Sequence, residues 1–289
     1  MIKAFIVIIT LLVVSCTTIE TKVESPANIP IDENIKFINY LDNDWENNLI
    51  KNPLFASYVG DKRFNDKINS NSIEQFLNQK NSYKESLKIL QDIDISKLSD
   101  SNKLNYKLKE FGLMSSIGPD FPVYYLRLNQ RGGIQSFYET GNRLVYSSKK
   151  DYYDWYSRLK QFSSNIYSSL EINKAGLEKN ITQPKLVTKA VILQINSILN
   201  SSIEENPYLK VFKNADESFF LPDEKKLLIE NVKTLIENEI NPAYQKLNEF
   251  LQNEYLPKSR QTIGLEGVAG GKEYYEYLAR HFSTTDLTP

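Results

Sequence analysis

Apolar residues recur every three or four positions along most of the chain after residue 31, which is the period of an amphipathic α-helix. The clearest stripe predicts one long helix that is capped by Ser148 and runs to about Lys179; it consists of Tyr152, Trp155, Leu159, Phe162, Ile166 and Leu170. Similar stripes predict further helices around residues 38–49, 76–90, 104–111, 187–198, 222–256 and 274–282. We therefore predict a mainly α, multi-helix domain over residues 31–289, with at most a small strand element.

Proline, glycine and β-branched residues mark the places where this pattern changes. The segment 52–66, NPLFASYVGDKRFND, is predicted to be a loop or short turn because it contains both proline and glycine. The segment 121–128, FPVYYLRL, alternates in polarity and is the best strand candidate. The helix of residues 104–111 is predicted to end near Gly112, and Pro242 is predicted to kink or restart the helix that begins at Pro222.

The first residues, MIKAFIVIITLLVVSCTT, predict a cleaved export signal rather than part of the fold. Lys3 supplies the positive start, and the apolar run of residues 4–14 is too short for a membrane-spanning helix. The run ends at Cys16, the only cysteine of the chain, in a context that resembles the bacterial lipobox. Residues 1–15 are therefore predicted to be a lipoprotein signal peptide, and Cys16 the lipidated first residue of the mature protein. An ordinary signal peptide or membrane anchor that happens to contain a cysteine is the alternative.

Residues 16–30 are polar, contain two prolines and lack a helical period, so they are predicted to form a flexible tether. The lipid bilayer is thus the first predicted partner, reached through lipidated Cys16. The predicted location is the bacterial cell envelope. In a Gram-negative organism, the absence of Asp after Cys16 resembles outer-membrane lipoproteins that face the periplasm.

Composition excludes several classes of function. The chain has 35 basic and 36 acidic residues and a net charge of −1, which argues against a nucleic-acid-binding protein that depends on positive charge. It has one cysteine and one histidine, His281, so neither an internal disulfide nor a metal site with two imidazoles can be built from this chain alone. We predict no metal site and no catalytic residue within the chain.

The sequence lacks two common catalytic motifs, the phosphate loop and the Ser-His-Asp triad with its G-x-S-x-G stretch. The glycine-rich stretch before Lys272 lacks the phosphate-loop pattern, because Glu266 and Glu273 stand where glycine and Ser or Thr are needed. A Ser-His-Asp triad would need His281, and no G-x-S-x-G stretch exists.

One cluster near the end of the chain favours ligand binding. In KEYYEYLARHFSTTD, the residues Tyr274, Tyr277, Leu278 and His281 share one face of the predicted helix, and Tyr275 and Arg280 lie on others. Phenol, imidazole and guanidinium groups can hold a peptide-like or carboxylate ligand. An ordinary amphipathic helix with polar surface residues is the alternative.

Four stretches, in order, resemble the bacterial "domain of unknown function 885" family. They are residues 52–66, the RGGI and DYYDWYSRLKQF stretches near 131 and at 151–162, NKAGLEKNITQPKLV at 173–187, and residues 255–289. The third stretch departs from the family pattern, because Asn180 replaces a glycine. Each stretch is weakly specific alone, and their joint order and spacing carry the resemblance.

The resemblance implies a helical fold like that of zinc metallopeptidases. Complete family members carry a second half with a His-Glu and Pro-Gly-His-His stretch that resembles a zinc motif, in which zinc activates water for attack on a peptide carbonyl. By this resemblance the chain is an N-terminal part without the zinc ligands, inactive alone, and Thr288-Pro289 is the start of a helix that continues beyond it. The expected contributions of this chain to a peptide-binding cleft are Tyr274, Tyr275, Arg280, His281, Gly132 and Gly133.

Two further expectations follow from the resemblance. A half protein is expected to expose apolar surface where the second half would pack. The alternative function is a non-catalytic helical lipoprotein of the cell envelope that acts as a binding or scaffold module.

Overall fold

The computed structural model describes residues 32–285 and residue 288, and the chain from Glu33 onward forms a single compact unit. The predicted signal peptide, the tether and Cys16 lie outside the described residues. The helices are α1 (Glu33–Lys51), α2 (Pro53–Tyr58), α3 (Ile73–Gln91), α4 (Asp100–Ile117), α5 (Tyr138–Arg143), α6 (Lys149–Glu178), α7 (Lys185–Leu199), α8 (Lys210–Lys213), α9 (Pro222–Leu235), α10 (Asn241–Phe250), α11 (Leu256–Lys258) and α12 (Gly271–Ser283). The prediction of a mainly α protein is confirmed.

The strand predicted at residues 121–128 is absent. Val123–Leu126 forms a 3₁₀ turn instead, and the only β pairing among the described residues is an isolated bridge between Pro184 and Arg260. The buried residues of this segment are Phe121, Tyr125 and Leu128, so the inward spacing is 4 and 3 rather than 2. Such spacing suits a turn of helix better than a strand.

Two other boundaries differ from the prediction. The segment 52–66, predicted as a loop, contains α2 and a 3₁₀ turn, and Pro53 occupies the first turn of α2, where its missing N–H costs nothing. Helix α4 passes through Gly112 and ends at Gly118, whose φ of 52° favours glycine. A single glycine inside a helix costs only about 1 kcal/mol, which the packing of α4 offsets.

A nearly continuous helix runs from Pro222 to Lys258 and contains two wider π-helical turns. They are Ile236–Ile240 and Leu251–Tyr255, and each lies just before a proline, Pro242 or Pro257. A proline lacks the N–H that an α-helix needs and presses against the preceding turn, so a wider turn relieves the clash. At Pro242, where a kink or restart was predicted, the helix continues and the change is this wider turn.

Two hydrophobic cores hold the helices together. The larger lies among α6, α7, α9 and α10, where Trp155, Leu159, Phe162 and Tyr244 are almost fully buried. The smaller joins α1, α3 and α4 through residues such as Phe37 and Leu90. The described helices contain no segment long and apolar enough to cross a membrane.

Helix α4 carries an apolar stripe that faces solvent. Leu104, Leu108 and Phe111, which mark this helix in the sequence, are 60%, 61% and 54% exposed, whereas Tyr106 and Leu113 form its buried side. Exposed apolar surface, expected from the family resemblance, is therefore present.

Candidate functional site

A pocket of 580 Å³, here called the glycine pocket, opens between α6, α5 and the turn that contains Gly132 and Gly133. Residues that line it include Asn71, Arg127, Gly132, Gly133, Glu139, Arg143, Asn165, Ser169 and Asn173. Volumes of 300–1,000 Å³ are typical of small-ligand sites. The lining mixes these polar groups with apolar side chains such as Leu54 and Phe162, and it comes from four separate segments of the chain.

The two glycines of the pocket have different structural needs. A Cβ on Gly133 would lie 2.5 Å from the carbonyl oxygen of Asn129 and 2.6 Å from Oε1 of Gln135. A Cβ on Gly132 would meet no atom within 4 Å. The Gly133 position therefore requires glycine for the turn itself, whereas Gly132 leaves open space at the pocket.

One wall of the glycine pocket is a row of polar side chains on α6. Asn165 donates from Nδ2 to the carbonyl of Asn69 (2.9 Å) and accepts from the N–H of Asn71 (2.9 Å). Ser169, one turn further on, accepts from the side chain of Asn71 (2.8 Å). These residues thus hold the backbone that leads into α3.

Asn173 is the next residue in this row, and it is 2% exposed. Its Nδ2 donates to the carbonyl of Ser169 (2.7 Å), but its Oδ1 has no hydrogen-bond partner among the described residues. A buried polar atom without a partner costs about 1–3 kcal/mol, so such atoms are uncommon in folded proteins. Asn173 therefore leaves an acceptor unused at the pocket wall.

The charges at the pocket leave a positive excess. Arg143 forms an ion pair with Glu139 (2.6 Å), whereas Arg127 lines the pocket with no hydrogen bond or ion pair to any described residue. The Arg127 side chain is exposed at the pocket edge. A carboxylate would complement this guanidinium.

A second pocket, here called the aromatic groove, has a volume of 310 Å³ and lies between α3, the end of α4 and α12. The ring of Tyr274 stacks on Phe121, with centroids 4.3 Å apart. The Tyr277 hydroxyl donates to the carbonyl of Ser115, and Nδ1 of His281 contacts the Ser115 hydroxyl. Burial, and then the nearby Tyr277, raises the pKa of the Tyr274 phenol, which therefore stays protonated at neutral pH.

The structure divides the predicted site residues into three groups. Tyr274 and His281 line the aromatic groove together, and Gly132 and Gly133 line the glycine pocket. The other two, Tyr275 and Arg280, are exposed on α12 and line neither cavity. The two pockets share no lining residue, so the six residues do not form one site.

The most informative pocket residues were not predicted from the sequence. Asn165, Ser169 and Asn173 recur every four residues on α6, and this polar row was available in the sequence. It was hidden because the apolar stripe of the same helix dominates the pattern. Arg127 was missed because it falls in the segment predicted to be a strand.

Two arginines in the family-like stretches have structural roles. Arg158 is fully buried and donates to the carbonyls of Pro53, Phe64 and Lys67. Arg260 donates to the carbonyls of Thr182, Thr262 and Gly264. The contacts of these arginines join distant loops and leave no guanidinium aimed at a cavity.

Asn180, which departs from the family-like pattern, has a φ of 57°. This is the left-handed region, where glycine is favoured and asparagine is among the better-tolerated alternatives. The backbone therefore accounts for both the family's glycine and this asparagine.

Zinc, implied by the family resemblance, finds no suitable set of ligands in the part of the chain that the structure describes. Within it no three His, Cys, Asp or Glu side chains converge on one point. The only histidine contacts a serine and neighbouring aromatic rings. We derive no chemical step through zinc for this chain.

Comparison with solved structures finds a similar fold in "the crystal structure of the putative lipoprotein from Colwellia psychrerythraea". The two chains have a TM-score of 0.78 and 17% sequence identity over 90% of this chain and 48% of that chain. This chain thus spans about half the length of the solved protein. A comparison with curated proteins found no match.

The family comparison covers most of the body described above, including both pockets and the contacts of Arg158 and Arg260. The model of a family described as "Bacterial protein of unknown function (DUF885)" matches residues 53–289. The chain belongs to this family.

Proposed function

We propose that this chain is a lipid-anchored protein of the bacterial envelope whose helical body binds a peptide-like ligand in the glycine pocket. In the complete protein, which we propose to be zinc-peptidase-like, this part would hold the substrate. The metal-binding residues would come from outside this chain. The single observation that carries the proposal is the unused acceptor of buried Asn173.

Asn165 shows how the same wall already binds a peptide backbone. Its amide donates to one backbone carbonyl and accepts from a backbone N–H two residues away, Asn69 and Asn71. Asn173 lies eight residues, or about two helical turns, further along α6. A ligand N–H bonded to Oδ1 of Asn173 would complete the row in the same manner.

Arg127 adds a preference for a carboxylate. It is the pocket-lining cation without a partner among the described residues, and a peptide with a free C-terminus would supply both the N–H and the carboxylate. The open space beside Gly132 leaves room for the ligand backbone. We therefore propose a peptide C-terminus as the ligand.

The envelope location rests on the N-terminal sequence. The apolar run of residues 4–14 is followed by the sole cysteine, Cys16, and the matched solved protein is itself called a "putative lipoprotein". If Cys16 carries the anchor, Cys16→Ser moves the protein from the membrane fraction to the soluble fraction. An unchanged membrane pool would contradict the anchoring.

A blocking variant tests the ligand site. Gly132→Phe places a ring where a Cβ meets open space, so we expect the fold to persist while binding of a short peptide with a free carboxylate falls at least about tenfold, or 1.4 kcal/mol. Arg131→Phe, an exposed neighbour that does not line the pocket, is the matched control. Unchanged affinity in folded Gly132→Phe would contradict the proposed site.

Metal analysis of this chain tests whether the proposed zinc ligands lie outside it. We expect the purified full chain to contain no stoichiometric zinc and to show no peptidase activity above background. One zinc per chain would contradict the proposal that the metal ligands lie outside it. Peptide binding by the zinc-free chain would support the proposal that this part of the protein holds the substrate.

A further inference from the structure

A groove of 820 Å³ lies between α1 and α3, with α4 at its floor. We call it the amide groove, because eight of its eighteen lining residues are Asn or Gln. They are Asn43, Asn47, Asn48, Asn52, Gln75, Asn78, Gln79 and Asn81. The groove shares no lining residue with the glycine pocket.

Most of the amides lie on the parts of α1 and α3 that border the groove, and Asn43, Asn47, Asn78 and Asn81 are exposed there. Helices α1 and α3 are antiparallel, since Lys36 reaches the carbonyl of Asp92 (2.6 Å) and Lys51 reaches the hydroxyl of Ser82 (2.9 Å). At one end the two helices join the smaller core through buried Phe37. Towards the other end, the facing stripes become polar.

Several of these amides are free to bind a ligand. The side chains of Asn43, Asn47, Gln75, Asn78 and Asn81 make no hydrogen bond to any described residue. By contrast, the charged lining residues are balanced: Lys51 and Lys109 face Asp44 and Glu85, and Lys109 pairs with Asp44. The groove therefore favours an uncharged polar ligand with both donors and acceptors.

The spacing of the amides matches an extended peptide backbone. Residues four apart on a helix, such as Asn43 and Asn47, are separated by about 6 Å along the axis. Two residues of an extended chain span about 6.6 Å. Each carboxamide offers an acceptor and donors, as a peptide unit does. Asn165 already bonds to main-chain groups in this way, at the carbonyl of Asn69 and the N–H of Asn71.

We propose that the amide groove binds an extended peptide through its main chain, with little dependence on the peptide's side chains. The site goes beyond the glycine pocket, because it needs neither a free carboxylate nor Arg127. A polypeptide bound here would contact the protein at a second site, separate from the glycine pocket proposed for its C-terminus.

A carbohydrate is less well matched to the groove. Sugar rings are commonly held against the face of an exposed aromatic ring, and the two lining tyrosines do not offer one freely. Tyr40 is 7% exposed and its hydroxyl bonds to Ser86 (2.7 Å), while Tyr83 is half-buried and accepts from Gln79 (2.9 Å). Main-chain recognition of a peptide is therefore the better-supported ligand class.

The test uses the full chain and a fluorescein-labelled peptide of Ser, Ala and Thr whose C-terminus is amidated. Fluorescence polarisation should show saturable binding that Asn43→Leu combined with Asn47→Leu weakens at least about tenfold. The control is Asn39→Leu, an exposed asparagine on the same helix outside the groove, which should change affinity less than about twofold. Thermal unfolding confirms that each variant is folded.

A second probe decides whether the main chain is what binds. The same peptide with N-methyl groups on alternate residues keeps the side chains and loses half of the N–H donors, so it should bind at least about tenfold more weakly. Equal binding of the N-methylated peptide would overturn the proposal. So would the absence of saturable binding, or competition by chitotriose without competition by unlabelled peptide. Repeating the titrations in the Gly132→Phe background removes any contribution of the glycine pocket, so saturable binding that remains there, and that Asn43→Leu with Asn47→Leu weakens, belongs to the amide groove.

Discussion

The ring of Phe121 lies stacked on the ring of Tyr274, with centroids 4.3 Å apart and planes 13° from parallel. This contact joins the segment before the glycine pocket to the last helix, α12. Phe121 is buried, so it anchors the 3₁₀ turn that precedes Arg127. The position of the pocket's exposed arginine therefore depends on a helix more than 140 residues later in the sequence.

Phe121→Ala is expected to lower the free energy of unfolding by about 3 kcal/mol, because it empties a buried ring site and removes the stacking. Urea titration measures the change. Phe282→Ala, which removes a 78% exposed ring from α12, should change stability by no more than about 0.5 kcal/mol. Equal effects of the two substitutions would show that the stacked pair does not hold α12.

Arg158 should be essential to the segment 53–67. It is fully buried and binds three backbone carbonyls and the Ser57 hydroxyl (2.6 Å), so Arg158→Met leaves several acceptors without partners. We expect a loss of at least about 3 kcal/mol, at 1–3 kcal/mol for each unsatisfied group. Hydrogen exchange should speed up within residues 53–67. Lys160→Met, an exposed change one half-turn away, is the control, and faster exchange there too would contradict a local role for Arg158.

Stability should depend on pH through Asp151. Burial alone would raise the pKa of its carboxyl, but hydrogen bonds from Lys62, the Ser147 N–H and the Ser148 hydroxyl outweigh burial and lower the pKa to about 2. Because the folded pKa is lower than the usual 3.8, the stabilisation is present above about pH 4 and is lost as pH falls towards 2.

The Asp151→Asn variant isolates this effect from other carboxylates. At pH 6 it should be less stable than the native chain by about 2 kcal/mol, and the difference should shrink between pH 4 and pH 2. Chemical denaturation at each pH gives both values. Asp42→Asn, at an exposed position on α1, should show no such convergence. A difference that stays constant with pH would contradict the assigned role of the carboxylate.

The exposed stripe of α4 should promote association rather than stability. Leu108→Gln and Phe111→Gln together are expected to change the free energy of unfolding by no more than about 1 kcal/mol while lowering self-association and dye binding to apolar surface. Leu113→Gln, on the buried side of the same helix, should instead destabilise the protein strongly. Sedimentation and unfolding curves make the comparison.

The spacing of apolar residues was sufficient to predict where the helices lie, but not which face of each helix is buried. The stripe of α6 is buried as its spacing implies, whereas Leu104 and Leu108 of α4 have the same spacing and face solvent. A repeat of apolar residues specifies a face but not whether a partner covers it. The strand prediction for residues 121–128 was wrong for a related reason. A segment of alternating polarity forms a strand only beside another strand, and among the described residues none lies there.

The candidate site was only partly accessible from sequence. Gly132 and Gly133 were identified, and Tyr274 and His281 were placed correctly on one face of α12. Their separation into two pockets depends on long-range packing that no local pattern encodes. Asn173 is distinguished by its buried Oδ1, which accepts no hydrogen bond, and only the three-dimensional contacts reveal this.

The most direct test of the account is the affinity of the full chain for one short peptide with a free C-terminal carboxylate and for its amidated form, measured by calorimetry with native chain, Arg127→Gln and Asn173→Leu. We predict that the native chain prefers the free carboxylate by at least about tenfold, that Arg127→Gln abolishes this preference, and that folded Asn173→Leu weakens both peptides. Native-level binding of both peptides by folded Asn173→Leu, or no binding by the native chain, would contradict the proposed function.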